Sequence, residues 1–102
     1  MIHPGRHLAN KLKEYWRTQK QFADLLGKKV SEVNELINGK RNITIQRDIL
    51  LSAAFDDPEK KWIDMQNDYD YNLTKMKIDK KKLDDIKKKK NQINKHTVFS
   101  NF

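Results

Sequence analysis

The chain contains no cysteine, and only three glycines and two prolines among its 102 residues. Without cysteine there is no disulfide framework and no thiolate for metal or nucleophilic chemistry, which fits a reducing compartment. So few glycines leave no glycine-rich loop to cradle a phosphate. No apolar run approaches the roughly 20 residues a membrane helix needs, and the start Met1-Ile2-His3-Pro4 lacks a basic-plus-apolar leader, so a soluble, cytoplasmic protein is expected. Histidine is also scarce. His3 and His7 are spaced for one helix face but have no third ligand nearby, so they are read as a solvated pair at a helix start, and no metal or cofactor is expected. The paired carboxylates Asp56-Asp57 and Asp84-Asp85 are sequence neighbours, which point about 100° apart on a helix and cannot converge on a substrate. With no nucleophile–base pair either, an enzyme is not expected.

Charge is abundant but unevenly placed. Residues 1–70 hold 12 Lys and Arg against 11 Asp and Glu, a net of +1; residues 71–102 hold 10 against 3, a net of +7, which together give the overall +8. Two regions are therefore expected, a nearly neutral domain at 1–70 and a lysine-rich extension at 71–102. The basicity alone says nothing for nucleic-acid binding by the first of these.

The informative stretch is Thr18–Lys40. Thr18 followed by Gln21 has the form of a capping box, and Phe22, Leu25 and Leu26 then repeat at helical spacing up to Gly27, a natural left-handed C-terminal stop. A second apolar set, Val30, Val33, Leu36 and Ile37, is closed by Asn38-Gly39. Two helices this short must pack on each other, with small Ala23 at the crossing. Ala23, Gly27 four later and Val33 six after that have the spacing of a helix-turn-helix, whose second helix, here about 30–38, enters the DNA major groove. An αα-hairpin in an ordinary helical domain has the same stripe.

What favours DNA is the outer face. Ser31, Asn34, Glu35 and Asn38 can read base edges, Asn suiting adenine and Glu accepting from the cytosine amine, while Val30 can touch a thymine methyl. Lys40, Arg41 and Asn42 suit phosphate. Thr18 and Gln19, at the start of the preceding helix, and Lys28 and Lys29, in the turn, complete the candidate DNA contacts. Lys29 stands where a capping Ser or Thr would be useful, so the positive end of the second helix lacks a side-chain cap, a defect that a phosphate would remedy.

Around this unit, a first helix is expected over 4–16, with Pro4 at its first position and Leu8, Leu12, Tyr15 and Trp16 recurring at i, i+4, i+7 and i+8. Thr44 should cap a fourth helix to Phe55 that buries Ile45, Ile49, Leu50, Ala53 and Ala54. Asp57-Pro58 should open a fifth, with Trp62, Met65 and Tyr69 on one face. In the extension, Asp79 can cap a helix from Lys80, while the run Lys87–Lys90 should fray it. A solvated or disordered tail, a basic arm on phosphates and a partner-binding helix are all open readings. The expected class is all-α: five helices with a basic helical or partly disordered extension.

His3-Pro4-Gly5, Gln21–Gly27, Val33–Arg41, Ile43-Thr44 and Trp62–Asp70 follow in an order that resembles the HigA/VapI-type antitoxins of toxin–antitoxin (plasmid maintenance) systems, within the lambda-repressor-like (XRE) helix-turn-helix superfamily. The middle motif is common to many repressors. His-Pro-Gly and Trp-x-x-x-Gln-x-x-Tyr-Asp narrow it. The resemblance implies a five-helix domain that binds a palindromic operator as a homodimer, with the fifth helix contributing Met65, Tyr69 and Leu73 to the interface. It also implies repression of the protein's own operon and neutralisation of a RelE-like ribonuclease toxin by direct contact. A stand-alone regulator of phage or plasmid type is the alternative. A protein-interaction module is a third reading, kept open by Glu32 and Glu35 on the reading helix.

Overall fold

The fold turns on how closely its helices approach one another. The computed structural model describes residues 2–15 and 18–97, with side chains up to residue 93. Six helices follow in order: α1 (Pro4–Glu14), α2 (Gln19–Leu26), α3 (Val30–Ile37), α4 (Ile45–Phe55), α5 (Lys61–Lys77) and α6 (Lys80–Thr97). There is no strand among the described residues. The chain divides into two compact units, Met1–Asn72 and Leu73–Phe102. Trp16, assigned to α1 by its spacing, lies outside the described residues.

In the first unit, Leu8 and Leu12 of α1, Phe22 and Ala23 of α2, Val33 and Leu36 of α3, Ile43, Leu51 and Phe55 of α4's side and Trp62 of α5 form one buried cluster. Burying each large apolar side chain contributes about 1.5–3 kcal/mol. Phe55 is central to it, its ring stacked 5.1 Å from Phe22 and tilted 5.9 Å from Trp62. Ala23 is buried at the α2–α3 crossing as its size predicts. The tightest approach is elsewhere. A Cβ added to Gly5 would stand 1.8 Å from the Leu36 carbonyl oxygen, so α1 and α3 touch backbone to backbone. Glycine inside a helix costs about 1 kcal/mol against alanine; the close packing it permits outweighs that.

Two expectations fail here. Leu25 is half exposed. More consequentially, α4 does not bury the face its apolar residues suggest: Asp48, Leu51, Ser52 and Phe55 are inside, whereas Ile45 is 71% and Ile49 55% exposed. Ala53 is exposed too, and Leu50 and Ala54 are only partly covered. The reason is a hydrogen-bond demand from another element. The Asp48 carboxylate accepts from the backbone N–H of Lys60 at 3.0 Å and of Ile63 at 2.7 Å, closing the open N-terminus of α5. Unpaired buried N–H groups are expensive, so the aspartate goes in and rotates the isoleucines out.

In the second unit, Asp79 accepts from the Lys81 backbone N–H at 3.0 Å as the cap of α6, and the helix continues through Lys87–Lys90 without a break. No helix among the described residues is long and apolar enough to cross a membrane.

Candidate nucleic-acid interface

The helix-turn-helix is held by local hydrogen bonds. Thr18 Oγ1 accepts from the Gln21 N–H while Gln21 Oε1 accepts from the Thr18 N–H, both at 3.1 Å, a complete capping box. At the far end Gly27 is left-handed, with φ 68°. Its N–H reaches the Asp24 carbonyl and that of Lys28 reaches Ala23, a Schellman stop. α3 ends the same way on Gly39, with φ 74°, and with the Lys40 N–H on the Glu35 carbonyl. At the start of α3, Lys29 sits in the N-cap position without a side-chain cap bond. The first N–H groups of the helix are thus left for another partner.

The outer face of α3 carries an amide ladder. Asn34 Nδ2 donates to Gln19 Oε1 and Asn38 Nδ2 donates to Asn34 Oδ1, each at 3.2 Å. Asn34 is thereby oriented between α2 and its own helix. It still has one N–H and one lone pair unused, the complement that an adenine edge presents. Ser31, Asn34 and Asn38 are exposed, and Val30 is 48% exposed at the head of the helix. Thr18, Lys29, Lys40, Arg41 and Asn42 are exposed around it, and Gln19 and Lys28 are half-buried. Lys28 Nζ donates to Gln46 Oε1 at 3.4 Å, which brings the start of α4 against the turn.

Both acids of α3 are matched by arginine. Arg41 Nε donates to Glu35, and Arg47 Nε donates to Glu32 at 3.3 Å while its Nη1 reaches the Asn42 carbonyl at 3.0 Å. The acidic side chains therefore do not leave this surface anionic. Glu35 and Arg41, read separately as base and phosphate contacts, occupy one ion pair.

His3 overturns the expectation of a solvated histidine pair. It is the N-cap of α1: Nδ1 accepts from the Gly5 N–H at 2.9 Å, which leaves the hydrogen on Nε2. That nitrogen faces Asn42 Oδ1 at 3.2 Å, and the ring stands edge-on to Tyr69 at 5.0 Å. Gln66, buried on α5, accepts from the Ile43 N–H at 2.8 Å through Oε1 and donates to Asp70 at 2.9 Å through Nε2. Trp62 Nε1 donates to Asp57 at 3.1 Å. His3 and Gln66 thus hold the Asn42–Thr44 loop, backed by Tyr69 and Asp70, while Trp62 ties α5 to Asp57. Met65, half-buried, packs on the core, and Tyr69, also half-buried, meets the His3 ring. Leu73 is half-buried in the second unit. Among the described residues no cluster of His, Cys, Asp or Glu could hold a metal.

The helix-turn-helix family model matches residues 8–59. The structure resembles an addiction module antidote protein of a HigA family from Coxiella burnetii, at 30% identity over 71% of this chain and 79% of that one, with a TM-score of 0.67. This chain belongs to the helix-turn-helix family, in its HigA antitoxin branch. A Pseudomonas aeruginosa protein solved in complex with an 18-base-pair operator DNA has 26% identity, with 78% of this chain and 87% of that one covered and a TM-score of 0.74. The fold is shared along nearly the whole length with the Pseudomonas aeruginosa antitoxin HigA solved with the higBA promoter, at 20% identity over 99% of this chain and 94% of that one, with a TM-score of 0.69. No curated protein matches the chain. The chain has the fold of the DNA-binding antitoxins, and relatives with that fold hold operator DNA.

The HigA-type motifs at the two ends of the domain now have a shared physical role. Residues alone gave no structural role to His3, Gly5, Asp48 or Gln66. Gly5, Asp48 and Gln66 each meet a backbone group far away in the chain, and His3 reaches the distant Asn42 side chain, which no local pattern announces. For His3, Gly5 and Gln66 the signal was their place in the two flanking motifs; Asp48 had none.

Proposed function

We propose that this protein is a cytoplasmic antitoxin that binds a palindromic operator in double-stranded DNA as a homodimer and represses its own toxin–antitoxin operon. It does so as a binding protein, not a catalyst. The observation that carries this reading is the amide ladder from Gln19 of α2 to the exposed Asn34 and Asn38 of α3, set among cationic side chains. In the proposed complex Asn34 reads an adenine, and Ser31, Asn38 and Val30 read neighbouring edges. Lys28, Lys29, Lys40 and Asn42 hold phosphates, with Thr18 and Gln19 at the groove edge. The uncapped start of α3 takes a phosphate oxygen on its free N–H groups. Glu35 contacts a cytosine amine while Arg41, its ion-pair partner, turns toward phosphate. The lysines of the extension add attraction that does not depend on sequence.

The same protein sequesters a RelE-like ribonuclease toxin by direct contact. Support for this comes from the HigA antitoxin branch itself. Such toxins are basic, so the lysine-rich extension repels them, and contact falls to residues 1–70.

A gel shift against the protein's own promoter tests the first part. Asn34→Ala is expected to lose about 1–3 kcal/mol of discrimination at one base pair, whereas Lys40→Ala weakens all sequences alike. If neither substitution alters binding, the reading surface is misassigned. Co-purification with the product of the adjacent reading frame tests the second part; a neighbour that neither binds nor is neutralised leaves a stand-alone regulator.

A further inference from the structure

Asn42, on the loop between α3 and α4, has its acceptors engaged and its donors left over. Its side-chain oxygen faces His3 Nε2 at 3.2 Å, and its backbone carbonyl accepts from Arg47 Nη1 at 3.0 Å. Neither its backbone N–H nor its side-chain NH2 has a partner among the described residues, and the residue is exposed. Spare donors beside occupied acceptors are the polarity that an anion asks for. Lys40 and Arg41, just before it, are exposed as well.

Which way that amide points is decided at the other end of the domain. Turned over, Asn42 would set its NH2 against the imidazole and show its oxygen to a phosphate, acceptor against acceptor. The hydrogen on His3 Nε2 forbids this. It is there because Nδ1 accepts from the Gly5 N–H at 2.9 Å, and a neutral imidazole carries a single N–H. The ring has little freedom to turn. Tyr69 meets its edge at 5.0 Å, and a Cβ added to Gly39, at the end of α3, would come within 3.5 Å of its Cγ. Capping α1 does not by itself call for imidazole. Asn, Ser and Asp are the preferred N-caps; they would accept from the same N–H but are too short to reach the loop.

We infer that His3 is a positioning residue for DNA binding. Polarity passes from the Gly5 N–H to His3 Nδ1, from His3 Nε2–H to Asn42 Oδ1, and from Asn42 Nδ2–H outward to a phosphate oxygen. The inference rests on the operator-binding reading, in which Asn42 meets a phosphate, and adds the residue that fixes that contact.

The test is a gel shift on the protein's own promoter over a salt series, with urea denaturation as the check on folding. His3→Asn keeps an acceptor for Gly5 and should lower the urea midpoint less than His3→Ala does. Its affinity for the promoter should nevertheless fall about tenfold, the loss of one hydrogen bond to a charged group. Asn42→Ala should lose the same amount, and adding His3→Asn to it should lose nothing more. An amide releases no counterion, so neither variant should change the slope of log affinity against log salt, whereas Lys40→Ala should reduce it by about 0.9. Nitrogen-15 NMR of the wild type should show the neutral His3 ring with Nδ1 bare and Nε2 protonated. Additive losses in the double variant or a changed salt slope in His3→Asn would show that His3 only supports the loop, and either overturns the inference, as does a hydrogen on Nδ1. A wild type that ignores its promoter overturns the operator-binding reading together with it. Asn34→Ala losing discrimination while His3→Asn binds like the wild type overturns this inference alone.

Discussion

Met1–Asn72 balances 12 basic against 11 acidic residues around a buried apolar cluster, while Leu73–Phe102 carries ten lysines and three aspartates, with none of its described side chains buried. The difference separates two requirements of DNA recognition. Reading a base edge needs an amide held in one orientation, as Asn34 is by Gln19, and that needs a packed core behind it. Attraction to phosphate needs only charge, and an exposed helix supplies it. In the proposed complex a nearly neutral domain carries specificity, and affinity for any duplex is added by a region that buries little.

Substitutions should divide along the same line. The largest effect is expected from Gly5→Ala: its Cβ collides with the Leu36 carbonyl, and separating α1 from α3 should cost about 3 kcal/mol, read by urea denaturation. An unchanged midpoint would mean that the two helices do not meet as closely as described. Asp48→Ala leaves two N–H groups at the head of α5 without their acceptor and should cost about 2 kcal/mol in the same measurement. Asp57 gives a smaller, pH-dependent effect. Burial disfavours its carboxylate, but hydrogen bonds from Lys61 and Trp62 and the charges of Lys61 and Lys11 outweigh that and hold its pKa below the ordinary value. A carboxyl depressed by folding stabilises above its unfolded pKa, and this contribution is lost as pH falls through the folded value. Thermal melts should therefore lose stability from about pH 4 downward, and Asp57→Asn should flatten that part of the profile.

The smallest effect on stability belongs to the second region. Replacing Lys87, Lys88, Lys89 and Lys90 with glutamine should move the melting midpoint by less than about 0.5 kcal/mol. In the same variant the slope of log affinity for DNA against log salt should fall by about 3.6, since each of four neutralised phosphates contributes about 0.9. An unchanged slope would show that these lysines do not touch the duplex and would remove the second half of the comparison.

Much of this was legible in the residues alone. The capping box at Thr18 and Gln21, the glycine stop at Gly27, the Thr44 cap and the Asp79 cap all stand where the sequence places them, because each joins groups only a few positions apart. The all-helical class, the helix-turn-helix and its membership in the HigA branch were legible for the same reason. Reading α4 by periodicity failed because hydrophobicity was taken as the only demand on its faces, whereas Asp48 answers to Lys60 and Ile63.

By itself, then, the chain determined where most of its helices are capped, what family they belong to and which side chains could face a groove, although α5 begins at Lys61 and not at the expected Asp57-Pro58. Tertiary structure decided which face of α4 goes inward, why position 5 must be glycine, and that His3 caps a helix while leaning on Asn42 and Tyr69. The physical reason is range. Caps and turns are settled by hydrogen bonds among neighbours, but whether a side chain is buried depends on which distant backbone groups arrive needing a partner.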